Sequence, residues 1–273
     1  MITKLFVRGM LAGLLAGLLA AVFAYAVGEP EIERAIALEE AAASSPGHAA
    51  AHSGAETGDH SHDGAAAGGH SHDGAASGGH SHGEDALVSR DGQRFGLFLA
   101  LALYGLAVGG LFALAYAAVR GRAGPRSEPA LAVTLAAAAF VAVVLVPFLK
   151  YPANPPAVGD PGTINERTVL YLVAVAVGIL SVAAGAATHR YAAGAEPRLR
   201  WLAAGACTLL PVIAAWILLP EIGEVPRGFP ADLLWDFRIA SLGTQAVFWL
   251  GVGTLFALAA RGRVPASRVP SPA

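Results

Sequence analysis

Eight of the nine histidines fall in one short stretch, and they are the side chains best suited to chemistry in this chain. They are His48, His52, His60, His62, His70, His72, His80 and His82. The units Asp59-His60-Ser61-His62-Asp63-Gly64, Gly69-His70-Ser71-His72-Asp73-Gly74 and Gly79-His80-Ser81-His82-Gly83 repeat a His-x-His pair every ten residues. Neutral imidazole is the commonest ligand for borderline divalent metals, and several rings on one flexible chain can close around one ion. The spacers are Gly, Ala and Ser, which build no core, so the segment is expected to be a disordered string. A low-complexity linker with incidental histidines is the competing account. The regular period favours a tract that collects a transition metal. Cys207 is the single cysteine and lies in an apolar run, so neither a disulfide framework nor a thiolate cluster is available.

The rest of the chain must hold this tract in place. With 55% hydrophobic and 14% charged residues and a mean hydropathy of +0.55, it is no soluble domain. The apolar runs predict an all-α, polytopic transmembrane helical bundle of about six spans, each near the ~20 residues that cross a bilayer. They are Leu5–Val27, Phe95–Val119, Leu131–Leu149, Val169–Thr188, Trp201–Leu219 and Ile239–Ala260. Residues 1–45 hold the first span and an acidic outer segment, and 46–94 the His-rich metal-binding loop. Residues 95–263 hold five spans, and 264–273 a cytoplasmic tail. Of eighteen basic residues, eleven fall at the amino terminus, the 120–130 and 189–200 connections and the carboxyl tail. The positive-inside rule therefore predicts a multi-pass protein of the plasma (inner) membrane, with both termini cytoplasmic and the His-rich loop outside. The opposite side carries eighteen of the twenty acidic residues, which would attract cations.

The first span has features of a secretory signal, with Lys4 and Arg8 before it and Ala24-Tyr25-Ala26 at its end. Its length and the Gly9, Gly13, Gly17 spacing, a small-residue packing face, argue for a retained helix. Each outward-going span meets an acidic or proline-rich loop, at Gly28-Glu29-Pro30, Val146-Pro147 and Leu219-Pro220. Each returning span is predicted to begin just after an arginine, at Arg94, Arg167 and Arg238. The last two hairpins could form a parallel internal repeat, as in many transporters. The plain alternative is that prolines end helices and arginines anchor interfaces.

Four prolines stiffen the loop from Lys150 to Pro161, which would place Asn154, Asp160, Asn165 and Glu166 as oxygen donors at a pore mouth. Arg167 would pair with one of these carboxylates and leave the other for a cation. The alternative is a rigid cap over two helix ends. Polar groups at membrane depth are Thr134, Ser181, Ser241, Thr244, Gln245 and Thr254, with Tyr104, Tyr116 and Tyr171. Thr244 and Gln245 are the candidate pore residues, and Gln245, costly in hydrocarbon, should face the interior. No Asp, Glu or His lies at mid-span, so a carboxylate proton relay is missing.

Walker A, His-Glu-x-x-His and Gly-x-Ser-x-Gly patterns are all lacking, so an enzyme is not expected. No bound cofactor and no nucleic-acid partner are expected either. The leading reading is a permease for a divalent metal, against a metal-binding membrane sensor or chaperone and, more remotely, a membrane enzyme. Several features together resemble the CbtA family of proposed cobalt transporter subunits. These are the His-bearing first outer loop, Lys150-Tyr-Pro-Ala-Asn-Pro-Pro-x-Val-Gly-Asp-Pro with Arg167-Thr168 after it, Arg94-Phe95-Gly96, and Leu242-Gly243-Thr244-Gln245. That resemblance implies cobalt uptake linked to cobalamin synthesis and a small, His-containing single-span partner of the CbtB type. It makes cobalt the expected substrate, with nickel and zinc as alternatives that imidazole ligation does not separate.

Overall fold

A computed structural model describes residues 2–43, 89–156 and 158–261. Most of the described residues are helical and none is in a strand. Six helices are long and apolar enough to cross a membrane. In chain order they are built from α1 (Ile2–Phe23) with α2 (Glu29–Ala43), α3 (Arg90–Val119), α4 (Glu128–Phe140) with α5 (Val146–Lys150), α6 (Ile164–Tyr191), α7 (Pro197–Leu218) and α8 (Ala231–Arg261). The even number of membrane-length helices brings Ile2 and Arg261 to one face and the start of α3, with the 151–160 and 219–230 connections, to the other.

The proline-marked ends need correction. The helix does not end at Gly28-Glu29-Pro30, nor at Val146-Pro147. In both places the chain makes one π turn, Ala24–Gly28 and Val141–Leu145, and stays helical. Glu29 N–H donates to Ala24 O and Val146 N–H to Val141 O, each one residue wider than an α-helical bond. Proline lacks an N–H and its ring collides with the carbonyl four residues back; a widened turn just upstream relieves that collision. The first helix therefore reaches 40 residues as far as Ala41, about 60 Å at 1.5 Å per residue, twice a bilayer's hydrocarbon core. Its distal part must project beyond the membrane.

The returning helices also begin before their arginines, not after them. The segment expected to be a loop to residue 94 ends at Ser89, whose hydroxyl accepts Gly92 N–H at 3.2 Å and caps α3. Arg94, Arg167 and Arg238 thus sit within the first turns of α3, α6 and α8, with their heads among outer-face partners.

The helices pack in the order α3, α1, α8, α4/α5, α6, α7. Glycine sets the first contact. A Cβ on Gly13 would overlap Gly105 O, and one on Gly9 would overlap Gly109 O, so the α1 and α3 backbones approach as only glycine allows. The core lies between α1, α3, α4 and α8, where Ala16, Ala132 and Val252 are fully buried. Phe112 stands edge-on to Phe256 at 5.3 Å. At the other end of α3, Glu29 accepts from Arg90 at 3.1 Å and Arg94 at 3.3 Å, and Glu33 pairs with Arg94 at 2.7 Å. This ionic cluster joins the start of α2 to the start of α3. The pattern expected of a repeated hairpin differs between its two copies: α4/α5 packs on α6, whereas α7 has α6 as its main neighbour and α8 packs on α1 and α4.

Candidate functional site

The 151–160 and 219–230 connections meet over the ends of α5, α6 and α8, held by three sets of hydrogen bonds. Tyr151 Oη donates to Pro220 O at 2.8 Å. Burial and the nearby Glu166 hold that phenol above its ordinary pKa, so it stays a donor. Arg238, from α8, donates through Nη2 to Asn154 Oδ1 at 2.9 Å and through Nε to Ala153 O at 3.3 Å. Glu224 forms the third set: its carboxylate accepts from Arg167 Nη1 at 2.9 Å, from Asp160 N–H at 3.3 Å and from the Thr163 hydroxyl. Its side chain is only 9% exposed. Gly159 passes under the Arg167 head at φ +138°, where a Cβ would lie 2.7 Å from Arg167 Nη1.

Beneath these loops a cavity of about 820 Å³ enters the bundle between α3, α5, α6 and α8. Its polar lining is Lys150, Arg167, Arg238, Asn154, Ser241 and Gln245, together with Tyr104, Tyr151, Tyr171 and Thr168. Three of these side chains are basic; none of the described residues lining it is Asp, Glu or His. No group of three or more His, Cys, Asp or Glu among the described residues could hold a metal ion. As described, the cavity favours negative charge.

The sequence-predicted mouth residues divide. Asn154 and Arg167 line the cavity; Asp160 and Glu166 do not. Asp160 uses its carboxylate to accept Gly162 N–H at 2.8 Å, capping the short turn Pro161–Thr163. Asn165 and Glu166 are exposed on the first turn of α6. Arg167 takes neither predicted carboxylate; it pairs with Glu224 and reaches only the backbone oxygen of Asp160, at 3.3 Å. Of the two pore candidates, Gln245 lines the cavity and its Oε1 is buried with no partner among the described residues. Thr244 turns its hydroxyl to Ala240 O at 2.9 Å, a bond within its own helix, and lies outside the lining. Ser181 is buried in α6 with its hydroxyl unpartnered. The eight histidines of the tract lie outside the described residues.

Sequence reasoning missed the parts played by Glu224, Lys150 and Arg238. Arg238 was legible only as a helix boundary, and Glu224 carried no signal, because its function comes from a partner on a distant loop.

A family model described as "Probable cobalt transporter subunit (CbtA)" matches residues 2–261. No curated protein and no solved structure matches the chain.

Proposed function

Because the chain belongs to the CbtA family of probable cobalt transporter subunits, we propose that it is the membrane-embedded subunit of a cobalt uptake system, with the histidine tract collecting the ion. The observation that carries this reading is the family match running over all six membrane-length helices. In the sequence the tract lies between α2 and α3, so a captured ion would be tethered to the two helices that the Glu29, Glu33, Arg90 and Arg94 cluster joins. The positive-inside rule, applied to the basic residues of the amino terminus and the 120–130 and 189–200 connections, would make their face cytoplasmic and the tract extracytoplasmic. Asn154, Arg167 and Gln245 belong to the mouth and the path below it; Asp160 and Glu166 contribute negative charge to the outer surface.

A second reading has a specific observation in its favour. The described bundle lacks a His, Cys, Asp or Glu cluster able to hold a metal ion, which suits a chaperone that collects cobalt, nickel or zinc and hands it to a partner. A small single-span partner of the CbtB type fits either case. Accumulation of radioactive cobalt decides between them in cells expressing this chain, the candidate partner, or both. Uptake by this chain alone supports the permease; uptake by the partner alone at excess cobalt, with this chain needed only when cobalt is scarce, supports the chaperone. No accumulation in any of these cells refutes both.

A further inference from the structure

Arg238, Ser241 and Gln245 stand three and four residues apart on α8, so they form one stripe, and all three line the cavity. From first to last the stripe rises about 10 Å along the helix. It presents a guanidinium at the mouth, a hydroxyl in the middle and an amide at the deep end. The three basic side chains of the cavity are not equally neutralised. Arg167 is paired with Glu224 at 2.9 Å. Lys150 lies 5.5 Å from the Trp216 ring centre and 3.9 Å from Glu221, whose side chain is 89% exposed. Arg238 meets only neutral oxygens among the described residues, Ala153 O and Asn154 Oδ1. A half-buried guanidinium without a counter-charge, facing a cavity without carboxylates, is a site for an anion. At the deep end, Gln245 Oε1 is buried and unpartnered, which a buried amide tolerates only at a cost.

We propose that this cavity binds a small hydroxycarboxylate, with a carboxylate on Arg238 and a hydroxyl hydrogen-bonded to the Gln245 amide. A carboxylate matches the planar guanidinium fork, while a bare dication would meet positive charge and no anionic ligand. Inorganic phosphate is too compact to span both ends of the stripe. A cavity of about 820 Å³ falls within the ~300–1,000 Å³ usual for small-molecule sites and leaves room for water around a six-carbon acid. Hydroxycarboxylates also chelate divalent metals, so the metal would approach this mouth as an acid complex. That last step rests on the transport reading; the binding site does not.

Calorimetry on the full-length protein in neutral detergent tests the site, with citrate as probe. Citrate is expected to bind, and Arg238→Gln to weaken it at least about tenfold, since it removes a charge-assisted pair. Gln245→Leu should weaken citrate about threefold or more while leaving acetate, which cannot reach the deep end, unaffected. Arg238→Lys retains the charge, so it replaces Arg238→Gln if that variant does not fold, and should bind with intermediate affinity. No citrate binding, or wild-type affinity in a folded Arg238 variant, overturns the proposal. So does equal competition by inorganic phosphate. Phosphatidylglycerol bound through Arg238 in nanodiscs, with citrate excluded, would assign the cavity to a lipid headgroup and overturn it as well. Citrate binding without cobalt uptake in cells defeats the transport reading alone; uptake without citrate binding defeats this one alone.

Discussion

Glu224→Gln is the substitution that most directly tests how the outer loops are held. The glutamate side chain is 9% exposed and its carboxylate lies 2.9 Å from Arg167 Nη1. Glutamine keeps an acceptor oxygen for Asp160 N–H or Thr163, so the loss concentrates on Arg167. Removing one partner of a fully buried ion pair costs about 3–5 kcal/mol. The Arg167 side chain is 32% exposed and can turn to water, which cuts the expectation to about 1–2 kcal/mol. For a chain of this size that is a fall in Tm of about 2–8 °C. A double-mutant cycle with Arg167→Gln, read by reversible unfolding in mixed micelles, should return most of that energy as coupling. Asp160→Asn should cost far less, since asparagine caps a turn as well as aspartate does. Glu166→Gln should be nearly neutral at its exposed position. Additivity of the Arg167 and Glu224 changes within about 0.5 kcal/mol would refute the pairing. So would an Asp160→Asn loss equal to that of Glu224→Gln.

The other expectations concern the tract and the helix contact. A peptide covering residues 46–85 should bind divalent metal at pH 7 and release it by about pH 5, because only neutral imidazole coordinates and its pKa is ~6.5; calorimetry showing undiminished binding at pH 5 would exclude imidazole ligation. Deleting the tract should raise the metal concentration needed for half-maximal uptake and leave the maximal rate mostly intact, because a tethered collector acts on local concentration. Loss of the saturated rate would place the tract in the pathway itself. Gly13→Val should cost about 1–3 kcal/mol or lower the amount of inserted protein, since its side chain would overlap Gly105 O. Gly96→Ala, with nothing within 4 Å of its Cβ, is the control and should leave melting unchanged or raise it slightly.

The spans were legible because apolar length is a property of the sequence itself: all six expected runs fall inside the observed helical stretches to within a residue, the first and third each including a π turn. The Gly9, Gly13, Gly17 face was legible for the same reason, since close backbone approach needs small residues at that spacing. Helix ends were not. Pro30 and Pro147 stop an α-helix by local rules, but a π turn upstream of each removes the collision, and nothing in Ala24–Gly28 or Val141–Leu145 spells that out. At the site, Gln245 could be read from the cost of an amide in hydrocarbon. Thr244 could not be placed, because its own helix offered Ala240 O as a partner. Glu224 depended wholly on where the 219–230 connection folds back. Local chemistry was readable, and partnership between loops was not.

That partnership changes the electrostatics inferred from composition. Composition predicts eighteen acidic residues on the outer side and a cation-attracting surface there, yet Glu224, on the loop over the cavity, is taken up by Arg167. What faces the cavity is the uncompensated Arg238. A dication about 8 Å from that guanidinium would be repelled by about 4 kcal/mol at an effective dielectric of 20, a thousandfold bias against its presence as a bare ion. Attraction at the surface and repulsion at the mouth are compatible if they act on different species. On the proposed reading, the acidic surface and the histidine tract would raise the local metal concentration, and the mouth would then accept the metal only when anionic ligands have reversed its charge. On this account, neutralising Arg238 should loosen discrimination against bare ions as it weakens anion binding, and uptake measured with and without citrate would show both effects in one variant.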